Sequence, residues 1–187
     1  MFIRSERLFL RPGWAEDWAE LHERIADEGI VRNLARAPWP YEAAHAREFA
    51  ERAQEPRTPH FLVTLPGARG SELVGCVGLA RDEKDEVELG YWIGREHWGR
   101  GYATEATRAV LGLARSLGHR RIVAGHFVDN PASGRVLVKS GFRPAGSLRQ
   151  RFSVARGGAV PTLVYAIDLA GPADCDAADA VSAMRAA

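Results

Sequence analysis

A chain of 187 residues, 46% of them hydrophobic, is the size of one domain and can bury a sizeable core. Its 25 basic and 24 acidic side chains nearly cancel, which excludes the broad positive field that draws proteins onto nucleic acid or anionic lipid and favours a small, locally recognised ligand. Two cysteines, Cys76 in an apolar run and Cys175 in an Ala/Asp-rich tail, make neither a disulfide framework nor metal-ligand spacing. With no signal-peptide core at its start and no run of about 18 apolar residues to span a bilayer, the chain is expected in the cytoplasm.

In chain order, residues 7–11 (RLFLR) alternate and stop at Pro12-Gly13, an edge strand ended by a turn. A helix is expected over 15–28, where Trp18, Leu21 and Ile25 recur at helical spacing. The prolines at 38 and 40 bar helix before Tyr41, which leads into a second helix to about residue 54. Runs 60–65, 72–80 and 86–94 read as a meander of three strands. Helix resumes near Gly101, with Ala103, Ala106, Val110, Leu113, Ala114 and Leu117 on one face and Gly118 as its stop. A strand over 121–128, a short helix over 132–140 and strands over 142–154 and 160–169 complete the order β-α-α-β-β-β-α-β-α-β-β. From Gly171 the composition changes, and the expected division is one domain over 1–170 and a flexible tail over 171–187.

The segment WGRGYATEA (98–106) stands between a strand and a helix. A glycine turn at that junction gathers unpaired N–H groups where the helix dipole adds roughly half a positive charge, a setting that suits a diphosphate. Gly99 and Gly101 allow close approach of backbone to ligand, Arg100 adds a cation, and Ala103 keeps the first helical turn narrow. Neither the Walker A pattern nor the three-glycine dinucleotide fingerprint is met. A plain strand-to-helix turn would use the same glycines, so the context decides.

That context is NPASGRVLVKSGF (130–142), where a strand ends at Asn130 and a short helix begins. Together with WGRGYATEA, an N-terminal RLFLRP and a late LVYAIDL (163–169), it resembles the GNAT superfamily of N-acetyltransferases, in the branch similar to the ribosomal-protein N-terminal acetyltransferases. The resemblance covers about residues 5–169. It departs from the superfamily's general pattern at Trp98, where Gln or Arg is usual, although this branch accepts the change.

The resemblance implies an α/β (α+β) fold: a mixed, mostly antiparallel sheet of about seven strands, its fourth and fifth splayed, with helices on both faces. Acetyl-CoA as cosubstrate would lay its pyrophosphate on Trp98, Gly99, Arg100, Gly101, Tyr102, Ala103 and Thr104. Its pantetheine arm would lie between the splayed strands, held by backbone near Trp92 and Ile93 and by Asn130 and Ser133. The implied reaction is direct attack of a primary amine on the thioester in a ternary complex. A protein N-terminus is the leading acceptor, with a small amine, amino sugar or antibiotic next, and no metal takes part. Glu88 matches the position of the base in several members. A carboxylate alone in VELGYWI is either that base, working through water roughly 13 Å along the strand from Trp92, or a structural acid paired to an arginine. The position of the family's thiolate-donating tyrosine is Leu137, so Ser133 is the alternative donor, or else an N-terminal helix residue capping a backbone amide. His126 is a candidate for orienting the amine or a satisfied structural histidine. Trp39, Tyr41 and the turn at 156–160 correspond to segments that flank the acceptor cleft, and an aromatic pair there could equally be packing. Arg149, Arg151 and Arg156 suit an acidic acceptor or a solvated strand face. A non-catalytic acyl-CoA-sensing domain of the same fold is the alternative function, with nucleotide binding by the same turn a third. Similar proteins are often homodimers.

Overall fold

The structure, a computed structural model, describes residues 1–68 and 70–169, the side chain of Ser147 excepted. The tail from Gly171, with Cys175, lies outside them.

Eight strands form one sheet. They are β1 (Ile3–Arg4), β2 (Phe9–Arg11), β3 (His60–Gly67), β4 (Gly70–Arg81), β5 (Val87–Ile93), β6 (Arg121–Phe127), β7 (Arg143–Ser153) and β8 (Gly158–Asp168). Their spatial order is β1-β2-β3-β4-β5-β6-β8-β7, and among the described residues only β5 and β6 run parallel. A parallel neighbour needs a crossover. Here it is α4 (Tyr102–Ser116), entered through a 3₁₀ turn at Arg95–His97 and closed by Gly118, whose φ of +81° suits glycine. β1, two residues on Leu10 and Phe9, is the strand too short for alternation to reveal.

The helix expected over 15–28 is broken into three pieces. A 3₁₀ turn (Ala15–Asp17) leads into α1 (Trp18–Ile25), and α2 (Glu28–Val31) starts afresh because the Asp27 side chain accepts the Gly29 N–H at 2.7 Å. The next helix, α3 (Ala43–Ala50), is shorter than its expected span. The short helix is α5 (Pro131–Lys139), capped by the Asn130 side chain with proline at its first position.

Strand alternation sends apolar side chains to both faces, and helices cover both. On one face Phe61, Val63, Val77, Leu89 and Ile93 pack under α4 with Ala106 and Val110. On the other, Leu62, Leu73, Cys76 and Trp92 meet Leu21, Ile25, Ile30 and Tyr41 from α1 to α3. Neighbouring residues of β5 therefore serve opposite faces, which later separates Glu88 and Trp92 from Tyr91.

The parting of β5 from β6 makes the cleft. Their register pair is Glu88 with Val123, near the start of β5. Towards Ile93 the pairing is to β4. There a Cβ on Gly75 would stand 2.2 Å from the Trp92 carbonyl oxygen, so glycine alone permits this approach of β4 to the end of β5.

Candidate active site

A cleft of about 880 Å³ opens where the two strands part. Of the residues singled out from sequence, it is lined by Tyr41, Glu88, Trp92, Ile93, Trp98, Gly99, Gly101, Tyr102, Ala103, Thr104, His126, Asn130 and Ser133. Trp39 and Arg100 are not in that lining. Trp39 is 40% exposed, and Arg100 is exposed beside the turn.

Gly99 and Gly101 have φ of +76° and +82°, a left-handed conformation that costs other residues roughly 1–2 kcal/mol. A Cβ on Gly99 would meet nothing within 4 Å, so this face of the turn is open to a ligand. Gly101 precedes α4 and no side chain caps the helix, leaving the N–H groups of Tyr102, Ala103 and Thr104 without intrahelical partners. Amides converging on empty space at a helix N-terminus fit a phosphate. Arg135 and Lys139, which the sequence reading did not single out, line the same cleft from α5 and add positive charge.

Trp98 has a definite role. Its indole N–H donates to the Ile93 carbonyl at 2.6 Å, tying the turn to the end of β5. This amends the expectation for Ile93, because that carbonyl already has one partner before any pantetheine amide arrives.

Contacts from Ser5 and Arg7 explain why the N-terminal RLFLRP accompanies WGRGYATEA. Arg7 reaches Glu105 with its backbone N–H (2.7 Å) and its Nε (2.8 Å), and donates to the Arg100 carbonyl at 3.1 Å. Ser5 adds its hydroxyl to Glu105 at 2.7 Å. Burial alone would raise the Glu105 carboxyl, but these donors outweigh it and hold the group below its ordinary range. Arg11, in turn, grips Asp17 with two bonds of 2.7 Å.

On β5, Glu88 does not stand alone. The Arg151 guanidinium lies on both of its oxygens, with Nη2 to Oε2 at 2.7 Å, and this bond is the main cause of the raised pKa of Arg151. Of the two readings open for Glu88, the pairing to an arginine is present. Arg149 approaches Glu86 at 3.7 Å, and Arg156 bonds Asp129 at 2.8 and 3.1 Å. All three arginines are therefore matched by carboxylates of the chain itself, which removes the reason to expect an acidic acceptor.

Arg156 also donates to the Arg32 carbonyl at 2.8 Å, and the Val154 N–H to that of Ala35 at 2.9 Å. The β7–β8 turn and the segment leading to Tyr41 are thus joined, as the walls of one cleft would be. Tyr41 is buried, and burial pushes its phenol up to about 12.

Ser133 is not the cap of α5. Asn130 is, accepting the Ser133 N–H at 3.3 Å. The Ser133 hydroxyl instead lies 2.7 Å from the phenol of Tyr91, a residue passed over in the sequence because it reads as one more apolar strand position. His126 is 7% exposed, with Nδ1 2.8 Å from the Phe127 carbonyl, which can only accept, so Nδ1 is the donor there, and Nε2 lies 3.5 Å from the Tyr165 hydroxyl. Both ring nitrogens thus have neighbours, as the structural reading expects, and the ring also lines the cleft, as the substrate reading expects. Burial raises the Cys76 thiol to about 12, which suits a core residue and not a nucleophile. Among the described residues, no group of three or more His, Cys, Asp or Glu side chains is placed to hold a metal ion, and no helix is long and apolar enough to cross a membrane.

A mixed sheet parted beside a glycine turn is the architecture that the resemblance implies, and comparison with known proteins agrees. Residues 7–143 match the acetyltransferase (GNAT) domain. The chain belongs to that family. It is 42% identical over 100 residues to the uncharacterised N-acetyltransferase YoaA of Bacillus subtilis, covering 51% of this chain and 55% of the relative. Over 82 residues it is 37% identical to the ribosomal-protein-serine acetyltransferase of Escherichia coli, covering 42% and 46%. These matches thus span about half the length of either relative. A GNAT acetyltransferase structure from Bacillus anthracis superimposes with a TM-score of 0.77 at 26% identity, over 90% of this chain and 99% of that one.

Proposed function

We propose that residues 1–170 form a single acetyl-CoA-dependent N-acetyltransferase domain acting on a primary amine, with a peptide N-terminus as the leading acceptor. The observation that carries this reading is the uncapped turn at Gly99 and Gly101, open to a ligand at the mouth of the cleft. The pyrophosphate takes the amides of Gly99 to Thr104, Arg135 and Lys139 meet the phosphates, and the pantetheine arm runs between β5 and β6 past Asn130 towards Trp92. The acceptor enters between Tyr41 and the β7–β8 turn. A peptide is favoured over a small amine by the ribosomal-protein-serine relative and by the apolar wall that Ile30, Leu34, Tyr41 and Phe49 give the cleft.

In the reaction, the amine lone pair attacks the thioester carbonyl carbon. The tetrahedral intermediate collapses, the C–S bond breaks and its electron pair goes to sulfur. The Ser133 hydroxyl donates a hydrogen bond to the departing thiolate. The proton lost by the amine passes through water to Glu88, whose oxygens keep lone pairs beyond those directed at Arg151.

Thiol release from acetyl-CoA tests the function, using peptides that begin with Ser or Ala, polyamines and amino sugars. Release that depends on a peptide acceptor is expected. Tight acetyl-CoA binding without release for any acceptor would instead identify a sensing domain.

A further inference from the structure

We propose that Tyr91 is a positioning residue, which turns the Ser133 hydroxyl so that its hydrogen points at the sulfur of the thioester. The proposal rests on the donor role given to Ser133 above.

Three observations lead to it. The family's tyrosine position is Leu137, 1% exposed and packed in the core, so α5 supplies no phenol of its own. A phenol nevertheless comes from the facing strand: the Tyr91 oxygen lies 2.7 Å from Ser133 Oγ and 3.1 Å from the Ser133 carbonyl oxygen. Tyr91 and Ser133 both line the cleft at the point where β5 and β6 part.

Each hydroxyl carries one hydrogen, so the pair has two arrangements. In one, Tyr91 donates to the Ser133 carbonyl and Ser133 spends its hydrogen on the phenol oxygen. In the other, Tyr91 donates to Oγ over the shorter distance, fills one of its lone pairs and leaves the serine hydrogen free to enter the cleft. Developing negative charge on sulfur selects the second arrangement, because only then does the thiolate gain a donor. Burial pushes the Tyr91 phenol up to about 12, so it is a protonated donor throughout the neutral range. Without Tyr91, the Ser133 hydrogen is free to turn to a carbonyl three or four residues back, that of Asn130 or Asp129. The hydroxyl would then be present but misdirected.

The experiment is a double-mutant cycle of Y91F, S133A and the double variant. It reads kcat and the Kd for acetyl-CoA, with rates normalised to coenzyme-binding sites counted by calorimetry, so that loss of folded protein is not taken for loss of turnover. S133A should lower kcat about tenfold and Y91F about fivefold, each with Kd unchanged, while adding Y91F to S133A changes kcat by less than about twofold. Non-additivity of this kind is what action through Ser133 requires. If Y91F lowers kcat by the same factor in both backgrounds, or leaves the wild-type rate intact while S133A is impaired, the positioning role is overturned and the Ser133 reading survives. If S133A turns over at the wild-type rate, the donor role of Ser133 is overturned and this inference with it.

Discussion

The half of the cleft proposed to hold the coenzyme and the half proposed to take the acceptor are built by different means. Around Gly99 to Thr104 the working groups are backbone amides, set by two left-handed glycines and a helix start within six consecutive residues. Around Tyr41 and Glu88 they are side chains held by partners far along the chain: Arg151 on Glu88, 63 residues away, and Asp129 under Arg156, 27 away. In the proposed reading, the backbone site serves a ligand part that never changes, the pyrophosphate. A wall of paired side chains can be rebuilt for a different amine without touching that turn.

Three substitutions probe this division, and a fourth lies outside it. The largest effect is expected for E88Q, which should lower kcat by about 100-fold, the lower range for losing a general base, while leaving acetyl-CoA affinity as it was. A parallel fall in coenzyme affinity, read by calorimetry, would mean that the two halves are not separable.

Next comes the Arg11–Asp17 pair, which belongs to neither half and isolates stability. Burial alone would raise the Asp17 carboxyl, but the Arg11 guanidinium and the Trp14 N–H outweigh it and lower its pKa. Because the folded value lies below the unfolded one, the stabilisation is complete above about pH 4 and is lost as pH falls through the lower folded value. Asp27, Glu105 and Asp129 are shifted in the same direction. D17N should cost about 2 kcal/mol, or roughly 4–8 °C in melting temperature, at pH 7, with a smaller difference from wild type at pH 3. An equal difference at both values would show that the pair contributes nothing through its charge.

Smaller again is R7A, which removes a side chain from a site made of backbone. Acetyl-CoA affinity should fall only about threefold, since the exposed guanidinium is bonded to Glu105 and the Arg100 carbonyl and does not line the cleft. A loss of about 100-fold would make the coenzyme half as dependent on side chains as the other. Smallest is R156A. Loosening the β7–β8 turn from Asp129 and Arg32 should raise the acceptor KM about twofold and leave coenzyme affinity alone, as befits a partly exposed pair. A change confined to the coenzyme would contradict its place in the acceptor wall.

The same division governs what could be read from sequence. α4, its stop at Gly118 and the turn before it were legible, because each is determined by residues a few positions apart. The interruption of the first helix at Asp27 was missed, since its capping bond competes with an apolar period that continues into α2. β1 is too short to carry a pattern. The Glu88–Arg151 pair was an open alternative with no named partner, and Tyr91 beside Ser133 was not seen at all, the two being 42 residues apart. Arg7 and Glu105, 98 apart, each stood in a recognised motif, but only their contact explains why the two motifs occur together.

The central claim, that the turn at Gly99 holds the pyrophosphate through its backbone, is tested most directly by comparing acetyl-CoA with acetyl-pantetheine, which shares the thioester arm and lacks the diphosphate. Calorimetric titration of the wild type and G99V with both ligands gives the coupling. G99V should weaken acetyl-CoA by at least about tenfold and leave acetyl-pantetheine unchanged. An equal loss for both ligands, or none for acetyl-CoA, would contradict the claim.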